Sequence, residues 1–269
     1  MTQNVTEPQT KPLALVTGAS SGIGLELAKQ FAGHGFDVVV NAEDAGIEKA
    51  AMLVQAEGAQ VTAVQADLRT PDGVAQLWSR VQAMGRPLDA AALNAGVGES
   101  GAFVDTDWAD DLAIMQLNAV STAALLKLCL VEMTGRNAGR ILVTSSIAST
   151  MPGAYQPVYN ASKSFIQSLT EAVQAELKDK GSAVTVTSLM PGPTDTNFFS
   201  RAGLLNTVMG QGPKDPADKV AEQGFEAMMA GERKVVAASL ATKAQAAANR
   251  VLPDAVKAAA HRVMARPQS

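Results

Sequence analysis

The sequence predicts a doubly wound α/β fold, with a parallel sheet of about seven strands covered by helices on both faces in a single domain. Three observations carry this. Short apolar runs alternate with longer amphipathic segments along most of the chain. The short runs are apolar throughout and do not alternate, which is the pattern of strands buried on both faces. The first run leads straight into a glycine-rich turn that opens a helix, the arrangement of the first unit of such folds.

Taken in order, "PLALVTG" (12–18) reads as a buried strand and "GIGLELAKQFAGHG" (22–35) as a helix ending in glycine. "DVVVNA" (37–42) is a second strand and "AGIEKAAMLVQAEGA" (45–59) a second helix. A strand at 61–67, a helix at 71–85 and a strand at 88–96 follow, with Pro71 suited to the first helical turn. The apolar segment 108–133 reads as one long helix, 139–146 as a strand, 159–181 as a helix and 183–192 as a strand. The stretch 193–216 is rich in Gly and Pro yet carries Phe198, Phe199, Leu204, Leu205 and Met209. An irregular segment of that length in a compact domain is usually functional or mobile. A helix (216–230), a short strand (234–237) and an Ala-rich helical stretch (240–265) complete the chain. The expected organisation is a lead-in at 1–11, a main domain at 12–237 including the 193–216 loop, and a helical extension at 238–269.

Composition excludes several classes. The 269 residues are 47% hydrophobic and 18% charged, with a net charge of −4 and no run of Lys or Arg, so a nucleic-acid partner is not expected. No stretch reaches the roughly 18 consecutive apolar residues of a membrane span, and the polar N-terminus lacks the apolar core of a secretory signal. The single Cys129 excludes an intrachain disulfide or a cysteine metal cluster, reads as a core residue, and suits a reducing cytoplasm. The two histidines, His34 and His261, have no partners at metal-ligand spacing, so no metal site is expected.

"TGASSGIG" (17–24) sits where a phosphate cradle would. Gly18 allows the tight turn, Gly22 lets backbone approach a pyrophosphate, and Gly24 lets helix and strand pack closely. The helix start offers free N–H groups and a partial positive charge. The spacing is G-x-x-x-G-x-G; glycines that serve packing alone are the plainer alternative to a phosphate cradle. Residues 18–22 also spell G-x-S-x-G, a serine-hydrolase elbow, for which His261 would be the only late base. Farther on, Tyr159 and Lys163 lie four apart on a helical segment, hence on one face. A positive charge at ~4 Å is worth about 4 kcal/mol at an effective dielectric of about 20. That would lower a phenol's pKa by about three, but a solvated pair would feel little of it.

Together these motifs resemble the short-chain dehydrogenase/reductase family, a Rossmann-type fold. T-G-x-x-x-G-I-G matches Thr17 to Gly24, and Y-x-x-x-K matches Tyr159 and Lys163. Ser146 stands thirteen residues before the tyrosine, and Asn118 takes the place of the family's helix asparagine. Asn94-Ala95-Gly96 matches part of N-N-A-G, Asp67 with Leu68 the acidic position after the third strand, and Pro191, Gly192 and Thr196 the P-G-x-x-x-T motif. The resemblance implies hydride transfer between a nicotinamide cofactor and a ketone or secondary alcohol. It makes Tyr159 the acid/base and gives Lys163 two tasks, lowering the pKa of Tyr159 and binding the nicotinamide ribose. Ser146 polarises the carbonyl and Asn118 holds a water that links Lys163 to solvent. It places Gly18, Ser20, Ser21, Gly22, Ile23, Gly24, Asp67, Leu68, Asn94, Ala95, Gly96, Pro191, Gly192, Thr194 and Thr196 at the cofactor, with Tyr159 and Lys163. A scaffold that merely binds a dinucleotide would not need the acid/base set.

The second strand ends in "VVVNAED", with Ala42 where family members that prefer NAD usually carry Asp, and Glu43 where those that prefer NADP usually carry Arg. A carboxylate at Glu43 can accept from a ribose hydroxyl and repels a 2′-phosphate, so NAD is preferred over NADP. Phe198, Phe199, Leu204 and Leu205 are expected as a lid, and Met151, Tyr155 and Met190 as pocket walls, around an apolar ketone or alcohol. The same apolar residues could instead pack in the core or at a subunit interface. The family resemblance implies a homodimer or homotetramer. The 240–265 stretch would cover either the pocket or a partner subunit.

Overall fold

The computed structural model describes residues 11–237, 239–249 and 251–268. Nearly all of the expected lead-in therefore lies outside the described residues. Strand β1 (Leu13–Thr17) leads into α1 (Gly22–Gly33), then β2 (Asp37–Ala42), α2 (Gly46–Gln55), β3 (Val61–Gln65), α3 (Pro71–Gln82) and β4 (Ala90–Leu93). Next come α4 (Trp108–Ile114), a π-helical segment (Met115–Ser121), α5 (Thr122–Gly135), β5 (Arg140–Thr144), a 3₁₀ turn (Ile147–Thr150), α6 (Pro157–Asp179) and β6 (Thr185–Pro191). The chain continues through β7 (Thr194–Asp195), α7 (Phe198–Arg201), α8 (Val208–Gln211), β8 (Asp215–Pro216), α9 (Ala217–Met229), β9 (Lys234–Ala237), α10 (Leu240–Ala248) and α11 (Asp254–Ala265).

Seven strands form one sheet in the order β3-β2-β1-β4-β5-β6-β9, every pair parallel. Winding starts at β1, moves outward to β3, then returns to β4 on the other side of β1. That reversal opens a crevice at the carboxyl ends of β1 and β4, where ligands bind in open α/β sheets. The strands are apolar on both faces because each face has its own helical layer. Leu27 and Phe31 of α1 and Val220 and Phe225 of α9 pack on Val16, Val38 and Val40. On the other face Leu77 of α3, Leu125 and Met133 of α5 and Ile166 of α6 pack on Leu15, Val39 and Ile141. Cys129 is buried in that second layer, and burial pushes its thiol pKa up.

Three segments depart from the sequence reading. The long helix expected at 108–133 is interrupted by the π-helical turn around Asn118. The whole run Trp108–Gly135 is long and apolar enough to cross a membrane, although no span was expected; Leu125, Leu126, Cys129 and Met133 within it are buried against the sheet. The 193–216 segment is organised at its base by the two-stranded parallel pairing of β7 with β8, Thr194 opposite Asp215. The Ala-rich stretch is two helices, not one, parted just before Asp254 by Pro253, whose ring cannot continue a preceding helix.

Candidate active site

The crevice holds a cavity of about 680 Å³ that runs from the end of β2, past the glycine loop and β4, to the start of α6 and the C-terminal helices. At the glycine loop, Gly18 (φ 65°) and Gly22 (φ 58°) take left-handed backbone that other residues adopt at a cost. A Cβ on Gly24 would collide with the Gly18 carbonyl oxygen, so the close helix–strand approach requires glycine there. Ser21 occupies the N-cap of α1 without capping it, and the first turn contains no acid. The helix start thus keeps its N–H groups and positive end for an anion. Ser20 instead donates to Asp44 at 3.0 Å, an arrangement that supplies no histidine base for a hydrolase.

At the β2 end, Glu43 lines the cavity and pairs with Arg69 at 2.7 Å. Arg69 also grips Asp67 through both carboxylate oxygens, and its guanidinium holds the Asp67 carboxyl below its ordinary pKa. Leu68 is buried beside it. Arg69 has no counterpart in the sequence reading, because nothing in the spacing of 43, 67 and 69 shows that β2 and β3 bring them together. Asn41 lines the same end, donates to Val64 and Ala66, and keeps a buried Oδ1 with no protein partner. An uncapped helix start for phosphates and an orphan acceptor beside carboxylates together fit a dinucleotide with a hydroxyl-bearing, amino-bearing adenosine end.

In the middle of the crevice, Asn94 ties three strands. Its N–H donates to Thr17 Oγ1 at 2.9 Å, its amide to the Thr17 carbonyl, and its Oδ1 accepts from Thr144. Ala95 N–H donates to the same Thr17 hydroxyl. Gly96 leaves Asn118 and Lys163 uncovered: a Cβ there would stand 3.2 Å from Asn118 Oδ1 and Lys163 Nζ. Asn118 accepts from Val97 N–H at 2.9 Å and donates to the Val97 carbonyl and to Ser162 Oγ. The π-helical turn, a device frequent at functional sites, thereby docks onto the β4 loop and α6 at once.

Lys163 is buried and donates to the Thr144 carbonyl at 2.9 Å. Burial lowers its pKa to about 8. Its Nζ lies 5.9 Å from the Tyr159 ring centroid. Tyr159 lines the cavity, and desolvation raises its phenol to about 12, with a hydrogen bond to Ser146 as the smaller, opposing effect. The direction is opposite to the lowering expected from Lys163, because removal from water is the largest influence on the phenol. Ser146 is buried and also accepts from Ala148 N–H at 3.1 Å, capping the 3₁₀ turn.

The remaining expected residues divide. Ser21, Ile23, Pro191, Gly192, Thr194, Thr196, Met151, Phe198 and Phe199 line the cavity. Phe198 lies against Tyr159, ring centroids 5.2 Å apart. Met190 and Tyr155 do not line it. Met190 is buried within β6, and Tyr155 contributes its left-handed backbone (φ 68°) and a carbonyl that accepts from Gly101 N–H. Leu204 is buried in a small cluster with Phe199 and Ala202, and Leu205 is exposed, so neither covers the site. Beside the apolar residues expected there, Arg201, Lys214 and His261 stand on the cavity walls. Lys214 is held by the Gly210 and Gly212 carbonyls over the Phe199 ring.

The C-terminal extension closes the far side of its own pocket. Asn249 donates to Thr150 Oγ1 at 2.9 Å, Lys257 to the Thr150 carbonyl, and His261 Nδ1 meets the Ala154 carbonyl at 2.9 Å. Gln245, His261 and Met264 line the cavity. The sequence offered one usable signal for this, Pro253, which divides the stretch so that α11 can turn back over the 147–155 loop.

The family model described as short chain dehydrogenase matches residues 12–204. Among curated relatives, Oxidoreductase UcpA of Escherichia coli K12 is 31% identical over 217 residues, 79% of each chain. Ketoacyl reductase HetN of a Nostoc species is 29% identical over 206 residues, 76% of this chain and 69% of its own. Among solved structures, a short chain dehydrogenase/reductase from Burkholderia phymatum in complex with NAD has a TM-score of 0.80 at 24% identity, covering 90% of this chain and 92% of its own. A short-chain dehydrogenase from Sphingobium yanoikuyae in complex with NADPH has a TM-score of 0.76 at 27% identity, covering 84% and 87%.

Proposed function

This chain belongs to the short-chain dehydrogenase family of oxidoreductases, and from that premise we propose that it interconverts a ketone and a secondary alcohol with NAD as cofactor and Tyr159 as acid/base. The observation that carries the reading is the meeting of Tyr159, Ser146, Lys163 and Asn118 beside Gly96 in the crevice below the glycine loop. A nicotinamide bound there supplies or accepts the hydride.

The protein's part is to hold the carbonyl and handle its proton. Ser146 offers its hydroxyl to the carbonyl oxygen, stabilising the negative charge that develops on it. Tyr159 stays protonated at neutral pH because burial pushes its phenol up to about 12, so it is ready to donate as the carbonyl oxygen gains charge. Lys163, with a pKa near 8, carries its positive charge at pH 7 and so stabilises the phenolate that remains. The Thr144 carbonyl fixes its ammonium, and Asn118 fixes the β4 loop opposite. Phe198 packs its ring against that of Tyr159.

NAD is favoured over NADP by charge. Glu43, Asp44 and Asp67 stand at the β2 end with the single guanidinium of Arg69 among them, leaving net negative charge where a 2′-phosphate would sit. The test of the chemistry is Tyr159→Phe. It should lower the kcat of ketone reduction by about a thousandfold while NADH still binds. Unchanged turnover would remove Tyr159 from the mechanism.

A further inference from the structure

The end of the cavity where the C-terminal extension meets the loop before α6 carries two polar groups that the proposed reaction does not use. Gln156 takes the N-cap position of α6 but its side chain does not cap the helix. It is 3% exposed, lines the cavity, and its Nε2 is buried without a protein partner. Buried polar groups ordinarily have a protein or water partner, and Gln156 Nε2 is left open for one at the cavity wall. Gln156 precedes Tyr159 by three residues, and both line the cavity.

His261 is 2% exposed and lines the same cavity. Its Nδ1 lies 2.9 Å from the Ala154 carbonyl, and a carbonyl only accepts, so Nδ1 carries the hydrogen. In a neutral imidazole Nε2 is then an acceptor. Burial lowers the ring's pKa and keeps it neutral near pH 7. The two groups are fixed to one corner. Ala154 holds His261, Gln156 follows two residues later, and Tyr155 between them takes a left-handed backbone pinned by Gly101 N–H at 2.9 Å. A non-glycine residue persists in that conformation only where its surroundings impose it.

We propose that Gln156 and His261 form a subsite for a hydroxyl group on the substrate close to the reacting carbonyl, which makes the substrate class a hydroxy ketone and the product the corresponding diol. The proposal rests on the carbonyl-reductase reading above. A hydroxyl accepts one hydrogen bond from Gln156 and donates one to His261 Nε2, matching both groups at once. A plain ketone that fills the same space leaves a buried donor and a buried acceptor unmatched.

The test compares matched probes with the full chain and NADH: 1-hydroxy-2-butanone and 4-hydroxy-2-butanone against 2-butanone, and 2-hydroxyacetophenone against acetophenone. For at least one pair the hydroxy ketone should have a kcat/KM on the order of 10–100-fold higher. Gln156→Leu and His261→Phe, which keep the volume of each side chain, should each bring that ratio toward one. NADH fluorescence titration of each variant shows that it is folded and loaded. Ratios near one in the wild type, variants that lower both members of a pair equally, or NADH binding with no turnover of any hydroxy ketone would each overturn the subsite. Failure of the wild type to bind NADH is a different result. It overturns the oxidoreductase reading, and the subsite with it.

Discussion

Tyr159 is one of two tyrosines in the chain, and its chemistry is set by what surrounds it more than by its spacing from Lys163. Desolvation raises the phenol to about 12, and the Ser146 hydrogen bond recovers only part of that. The sign has a direct consequence. A raised pKa extends the neutral form, so the phenol keeps its proton through the whole neutral range. Tyr155→Phe leaves Tyr159 as the only phenol, and its titration can then be followed by ultraviolet absorbance. The free protein should show no phenolate until well above pH 10, with a midpoint near 12. Phenolate appearing between pH 7 and 8 would mean that Lys163 dominates burial, as the four-residue spacing taken by itself suggested. That spacing shows that the two side chains share a face, but how dry the face is depends on Gly96, Phe198 and the C-terminal helices, which lie far away in sequence.

Among the elements, the glycine loop with α1 is the one most fully written in local sequence. Each glycine in 17–24 has a separate geometric reason, and the Gly24 reason is the sharpest, since a Cβ there meets the Gly18 carbonyl and the Asn94 amide. Gly24→Ala should destabilise the fold by about 1–3 kcal/mol, read as a lower urea midpoint. Gly33→Ala, at the end of the same helix with open space around it, should leave the midpoint unchanged or slightly raised. Equal midpoints for the two would show that the loop tolerates a side chain. Other elements were less legible. The π-helical turn at Met115–Ser121 leaves no mark on apolar periodicity, because one extra residue per turn still presents an apolar face. Asn118, polar within an apolar run, was the only sign. Arg69 was not singled out, and His261 was not placed at the cavity, for a related reason: each finds its partner across a long gap, Arg69 at Glu43 and His261 at Ala154. Pairings of that kind follow from topology and are absent from any window of neighbouring residues.

At the scale of the whole molecule, the sheet order explains why residues from 18 to 264 share one cavity. Reversal of winding between β1 and β4 opens the crevice. The loops after β1, β4, β5 and β6 all end there, and α11 returns to roof it. The strand pattern and motif order made this much readable in advance, whereas the roof and its polar groups depended on how the last helices turn. The crevice also has a charge gradient, from the uncapped start of α1 to the carboxylates around Arg69 at the end of β2. The most direct test of the account is titration of the purified protein with NADH and with NADPH, followed by nicotinamide fluorescence. The account predicts saturable NADH binding at least about tenfold tighter than NADPH, a difference of about 1.4 kcal/mol. Binding of neither cofactor would contradict the dinucleotide site itself.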